Sequence, residues 1–230
     1  MKIKLKNIFF YYLTCNNEQR KKHITNEFKE FKLVEVNPIT DIGKSKSGAT
    51  GFSKILDQAC QDQDKFKPFQ PFIIFEDDVK KFREFPLEID IPDDTDILYI
   101  GLSKCGMTNT GYGYTVCSQN INENIIRIHN MLSLHGIIIC SVRGLLSLQK
   151  CMLDSYYNNK IWDIYTAEIQ PYLKVYALKN PLVYQHGKIG GAEIPTKINY
   201  IDKKDISIPK KWLNKKNVSI LTMNNPSCFT

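Results

Sequence analysis

Four apolar residues, Phe72-Ile73-Ile74-Phe75, run straight into three acids, Glu76-Asp77-Asp78. A short apolar run without alternation, preceded by the breakers Pro68 and Pro71, predicts a strand buried on both faces, at the centre of a helix-covered sheet. Ligands of open α/β sheets collect at the carboxyl ends of such strands. Three adjacent carboxylates there repel one another. A divalent cation relieves that repulsion, and Mg²⁺ and Mn²⁺ prefer carboxylate oxygens. In an extended backbone alternate side chains share a face, so Glu76 and Asp78 are expected to point together and Asp77 away. The plainer reading of the same residues is a solvated turn.

The flanking pattern supports an α/β chain. Ile8 to Leu13 reads as a buried strand, and Asn16 or Asn17 can cap a helix running to about Phe31. Leu33-Val34-Glu35-Val36 is a second strand, so the chain opens strand–helix–strand, as parallel sheets do. A loop over 37–48 precedes a helix whose Ala49, Phe52, Ile55, Leu56 and Ala59 share a face. Further strands are expected at Asp96–Gly101, Gly136–Cys140, Lys174–Ala177 and Leu182–Gln185. Helices are expected at Val142–Leu153, capped by Ser141, and at Trp162–Leu173, interrupted by Pro171. Residues 103–124 read as a long loop with a hairpin at Tyr112–Cys117, and long loops in compact domains tend to be functional. The expected fold is one α/β domain over residues 1–195, a mostly parallel mixed sheet flanked by helices. A basic appendage at 196–230 packs on it through Ile208 and Trp212.

The formal net charge is +7, with the excess at the ends: Lys2, Lys4 and Lys6, then Lys197, Lys203, Lys204, Lys210, Lys211, Lys215 and Lys216. Such ends favour anionic partners, nucleotide phosphates or an acidic membrane surface among them. A nucleic-acid-binding module would interleave basic and aromatic residues on one face, a pattern the chain lacks, so no nucleic-acid partner is expected. The seven cysteines are irregularly spaced without a CxxC pair, which argues against structural zinc and for reduced thiols in a cytoplasmic protein. No apolar run reaches the roughly 18 residues that span a bilayer, and the start lacks a signal-peptide apolar region.

Several segments, in order, resemble glycosyltransferase family 25, the lipooligosaccharide and collagen galactosyltransferases. They are the opening strand with Asn16 and Arg20, Ser47-Gly48-Ala49-Thr50-Gly51-Phe52-Ser53, Phe75-Glu76-Asp77-Asp78-Val79, and Asp94 to Gly101. His135 to Ile139, Trp162-Asp163-Ile164-Tyr165 and Pro181 to Gln185 follow. Lys54 stands where members usually have His, and 103–124 has no counterpart. The resemblance implies a GT-A type fold, a UDP-sugar donor, a glycan or glycoprotein acceptor, Mn²⁺ or Mg²⁺, and inversion at the anomeric carbon.

On that reading Asp78, Glu76 and His186 hold the metal. Thr14, Cys15, Asn16, Arg20, Ser53, Glu76, Asp77 and Gly187 contact the donor, with Lys54 a further phosphate or base contact. Asp163 is the general base, expected across a cleft from the acidic motif, and Glu168 is the second choice. Asp163 equally suits a helix N-terminus, where the dipole favours an acid. His135 is expected to pack or hold a loop, and His23 and His129 to lie on the surface. A nucleotidyltransferase would use a similar acidic site, but the glycine-rich basic loop it needs after the first strand is replaced by Thr14-Cys15-Asn16-Asn17-Glu18.

Overall fold

A computed structural model of the chain describes residues 1–14, 17–63, 69–103, 105–108, 111–113, 116–185 and 201–202. Cys15, Asn16, His186, Gly187, Ile208, Trp212 and the boundary at 195 lie outside them.

The centre of the molecule is a nine-stranded mixed sheet. Across it, in spatial order, stand β15 (Ile201–Asp202), β10 (Cys117–Asn120), β11 (Ile125–Ile128), β13 (Val175–Leu178), β7 (Ile97–Tyr99), β12 (Gly136–Ile139), β4 (Phe72–Glu76), β2 (Phe9–Leu13) and β3 (Leu33–Val36). Among the described residues seven of the nine strands point the same way; β11 and β12 run against them. The α/β class with a mixed, helix-flanked sheet is as expected. The two reversed strands make half of the neighbouring pairs antiparallel, which periodicity cannot foretell for runs buried on both faces.

Side-chain alternation explains the layers. Phe72 and Ile74 of β4, Ile97 and Tyr99 of β7, Ile137 and Ile139 of β12, and Val175 and Ala177 of β13 enter one core cluster. There they meet α2 (Lys44–Gln63) and α3 (Val142–Asn158), with Trp162, Tyr165 and Ile169 of α4 (Trp162–Ile169) packed against them. Ile73 and Phe75, Leu98, Ile138, and Tyr176 and Leu178 face the other way. That cluster is closed by Ile24 of α1 (Glu18–Glu27), by Phe28, and by two small ribbons. One pairs β1 (Lys2–Lys4) with β6 (Glu88–Asp90); the other pairs β5 (Val79–Lys81) with β14 (Val183–Gln185).

Several boundaries differ from the sequence reading. α1 ends at Glu27, and Phe28 and Phe31 pack beyond it in the loop to β3. α2 begins at Lys44, inside the expected loop, and its glycines serve close packing: a Cβ on Gly48 would lie 2.1 Å from the Trp162 ring, and one on Gly51 2.2 Å from Leu13. The hairpin falls at β8 (Gly106–Thr108) and β9 (Gly111–Gly113) rather than at 112–117, where Cys117 instead starts β10. Ser141 caps α3 as expected, accepting from the Gly144 amide at 3.0 Å. No helix of the described residues is long and apolar enough to cross a membrane.

Asp96 anchors the end of the sheet away from the acids. It is 2% exposed. It accepts from Ser141 Oγ at 2.6 Å, from Arg143 Nε at 3.0 Å and from the Lys174 amide at 2.8 Å, joining the starts of β7, α3 and β13. Asp96→Ala strands the Lys174 amide and removes the Arg143 partner. A loss of about 2–4 kcal/mol is expected, after discount because Arg143 is half exposed. The urea midpoint should fall with an unchanged denaturant slope; a loss under about 0.5 kcal/mol would show the network to be idle.

Candidate active site

Strand direction gathers the site. β2, β3, β4, β7 and β13 all end at one edge of the sheet, and β12 begins there. Glu76 is the last residue of β4, and Asp77 and Asp78 form the turn into β5. The turn ends the extended geometry on which the expected alternation rested. Asp77 therefore does not point away: it is 2% exposed and accepts from Arg20 Nη1 at 2.8 Å, while Arg20 Nη2 lies 3.5 Å from Asp78 Oδ2. Arg20 reaches both from the first turn of α1, which Asn17 caps by accepting from the Gln19 and Arg20 amides.

The other Asp78 oxygen, Oδ1, is buried without a hydrogen-bond partner. Asp163 Oδ1, Trp162 Nε1, Thr14 Oγ1 and His135 Nε2 share that condition. Buried polar atoms are almost always paired, so the unpaired ones gathered near the carboxyl ends of β2 and β4 single out this end of the sheet as the candidate site; Arg127 Nε and His129 Nδ1, on and just after β11, are unpaired as well. Thr14 directly follows β2, and its amide donates to the Val36 carbonyl at 3.2 Å. Asp163 lies in the first turn of α4, brought inward where the Trp162 ring lies over Gly48 and packs with Phe52, ring centroids 5.9 Å apart.

Electrostatics make these acids interdependent. Burial raises the Glu76 pKa well above the carboxylate range, and the charges of Asp78, Asp163 and Asp77 add to the rise. Burial raises Asp78 as well, opposed chiefly by Arg20. Burial lifts Asp163 to about 6, outweighing the helix dipole. Asp163 stands in the electrostatic neighbourhood of the acidic motif, its charge felt at Glu76. Glu168, further along α4, is felt instead at Cys151 on α3.

Gln185 was read from the sequence only as the end of a short strand, with no role at the site. The register of β5 with β14 sets Val79 opposite Gln185, and Gln185 Nε2 donates to Glu76 Oε2 at 2.9 Å. His23, read as a surface residue, is half-buried with Nε2 2.8 Å from the Val79 carbonyl. His129, also read as exposed, is buried, and burial holds its pKa down to about 4. His135 packs as expected: it is buried beside Gly101, whose absent Cβ leaves room for the ring, and Ser133 Oγ bonds its Nδ1. Ser53 is half-buried within α2. Lys54 Nζ donates to the Asn37 carbonyl at 3.0 Å.

Among the described residues, no three of His, Cys, Asp and Glu converge as a metal site on their own. The donor set still fits a hard cation held by one or two carboxylates and completed by phosphate oxygens, the usual Mg²⁺ arrangement with nucleotides. The unpartnered Asp78 Oδ1 is the oxygen that favours it.

No protein-family profile and no curated protein matches this chain. Among solved structures, the crystal structure of A197 from STIV is similar, with a TM-score of 0.43 and 12% identity over 78% of this chain and 85% of that one. A likeness this slight shows neither a shared family nor a shared activity.

Proposed function

We propose that the chain is an inverting, metal-dependent glycosyltransferase of GT-A type that moves a sugar from a UDP-sugar to a hydroxyl acceptor. The observation that carries the reading is the pair of buried acids just after β4, Asp77 and Asp78, with Asp78 Oδ1 and, on α4, Asp163 Oδ1 unpaired. Asp78 and Glu76 would hold Mn²⁺ or Mg²⁺, with His186 a further ligand. The cation, when bound, supplies Lewis-acid stabilisation of the departing diphosphate.

The chain's own residues supply the rest. Arg20, already within reach of Asp77 and Asp78, offers a planar guanidinium to phosphate oxygens. Thr14 offers an unpaired hydroxyl at the end of β2, the position for a base or ribose contact. Asp163 accepts the proton of the acceptor hydroxyl as that oxygen attacks from the face opposite the diphosphate. Cys15, Asn16 and Gly187 complete the donor contacts in this reading, and Ser53 supports them from α2. The basic ends would add a peripheral contact with an acidic membrane or acceptor.

Titration calorimetry and donor hydrolysis test this together. UDP is expected to bind with Mn²⁺ present and much more weakly with a chelator, CDP and GDP weakly in either case, and UDP-sugar hydrolysis to stop in the chelator and return with Mn²⁺. Hydrolysis that persists in the chelator would remove the metal. Release of pyrophosphate from a nucleoside triphosphate, with no turnover of UDP-sugars, would turn the assignment to nucleotidyl transfer.

A further inference from the structure

We infer that Gln185 is a positioning residue, holding the Glu76 carboxylate in the orientation in which it serves the cation–diphosphate site. The inference rests on the proposed reading of that site. Glu76 is the last residue of β4, directly before Asp77 and Asp78. A carboxylate beside two others turns away from them unless a donor holds it. The Gln185 amide is such a donor, its Nε2 2.9 Å from Oε2.

The grip is built into the backbone. β5 starts at the residue after Asp78, and β14 pairs with it so that Val79 stands opposite Gln185. The Leu182 and Val183 amides both donate to the Ile100 carbonyl, at 2.7 and 3.2 Å, tying the same segment to the end of β7. Gln185 is thus fixed from two sides, and its side chain reports that fixed position to Glu76. Groups that orient a ligating carboxylate typically change metal affinity by about 10–100-fold when removed.

The test is Mn²⁺ binding in the presence of UDP, measured by calorimetry on the full chain, with the melting temperature as a check on folding. Gln185→Leu is expected to weaken Mn²⁺ binding about tenfold or more, with the melting temperature within a few degrees of wild type. Gln185→Asn keeps the amide but draws it back by one methylene, and should lose binding similarly. Glu76→Gln should lose binding too, and adding Gln185→Leu to it should cost nothing further, since the two residues act as one unit. Full affinity in Gln185→Asn, or losses that add in the double variant, would overturn the inference while leaving the metal site standing. A wild-type chain that binds no Mn²⁺ with UDP would overturn both.

Discussion

Asp78→Asn is expected to reduce donor turnover by at least about 10³-fold while leaving the chain folded and no less stable. The side chain is buried, its Oδ1 has no partner, and its Oδ2 meets Arg20 only at the long distance of 3.5 Å. Asparagine preserves the shape but removes the charge that a cation needs, and losing one strong electrostatic contact to a transition state costs about 10²–10³ by itself. Loss of the cation forfeits the Lewis acid as well. Stability moves the other way. Burial raises the Asp78 pKa against the pull of Arg20, so the ionised form is the less comfortable one in the folded chain. Single-turnover hydrolysis of a UDP-sugar and a urea titration read the two effects. Unchanged turnover would show that Asp78 is a structural turn residue. Lost turnover accompanied by a stability loss of about 2 kcal/mol or more would show that the charge serves the fold.

The strands that build this edge were legible wherever burial on both faces makes an apolar run: Phe72–Phe75 of β4, Ile137–Ile139 of β12 and the aromatic run of β2. The ribbons were not. β1 and β5 each bury one residue, Ile3 and Val79, among lysines, and no period can be read from a single apolar position. β11, Ile125–Ile128, follows an Asn-rich turn in which Asn122 Oδ1 accepts from the Asn124 and Ile125 amides, a signal merged in the sequence with the long loop before it. Gly48 reads as a loop former in sequence, yet it serves α2 by making room for Trp162. The acidic run was plain in the sequence, but its arrangement was not. The turn at Asp77 and Asp78 cancels the alternation, and only tertiary packing brings Arg20, Gln185 and Asp163 to them.

Asp163→Asn is expected to reduce turnover by about 10²–10⁴-fold while UDP affinity in the presence of Mn²⁺ changes little. A proton acceptor on the acceptor side touches the attacking oxygen and not the nucleotide, so its loss falls on kcat. With wild-type chain, turnover should rise with pH through about 6, because the carboxyl must be ionised to accept a proton and burial has lifted its pKa to about 6. The same lift has a stability cost whose sign is fixed by linkage. Below about pH 4 the group is protonated in both folded and unfolded chains and carries no penalty. As pH rises towards 6 the unfolded chain ionises first and binds fewer protons, so the folded chain loses stability until its own carboxyl ionises. The accumulated cost is about 3 kcal/mol, an order-of-magnitude figure for a shift from 3.8 to about 6. Asparagine removes that cost. In chelator, the variant should melt several degrees above wild type at pH 8 and close to it at pH 4. An inactive variant that melts lower at pH 8 would make Asp163 a helix-capping acid whose charge the fold requires. One that melts higher yet turns over normally would leave Glu168 as the acid to examine for the proton transfer.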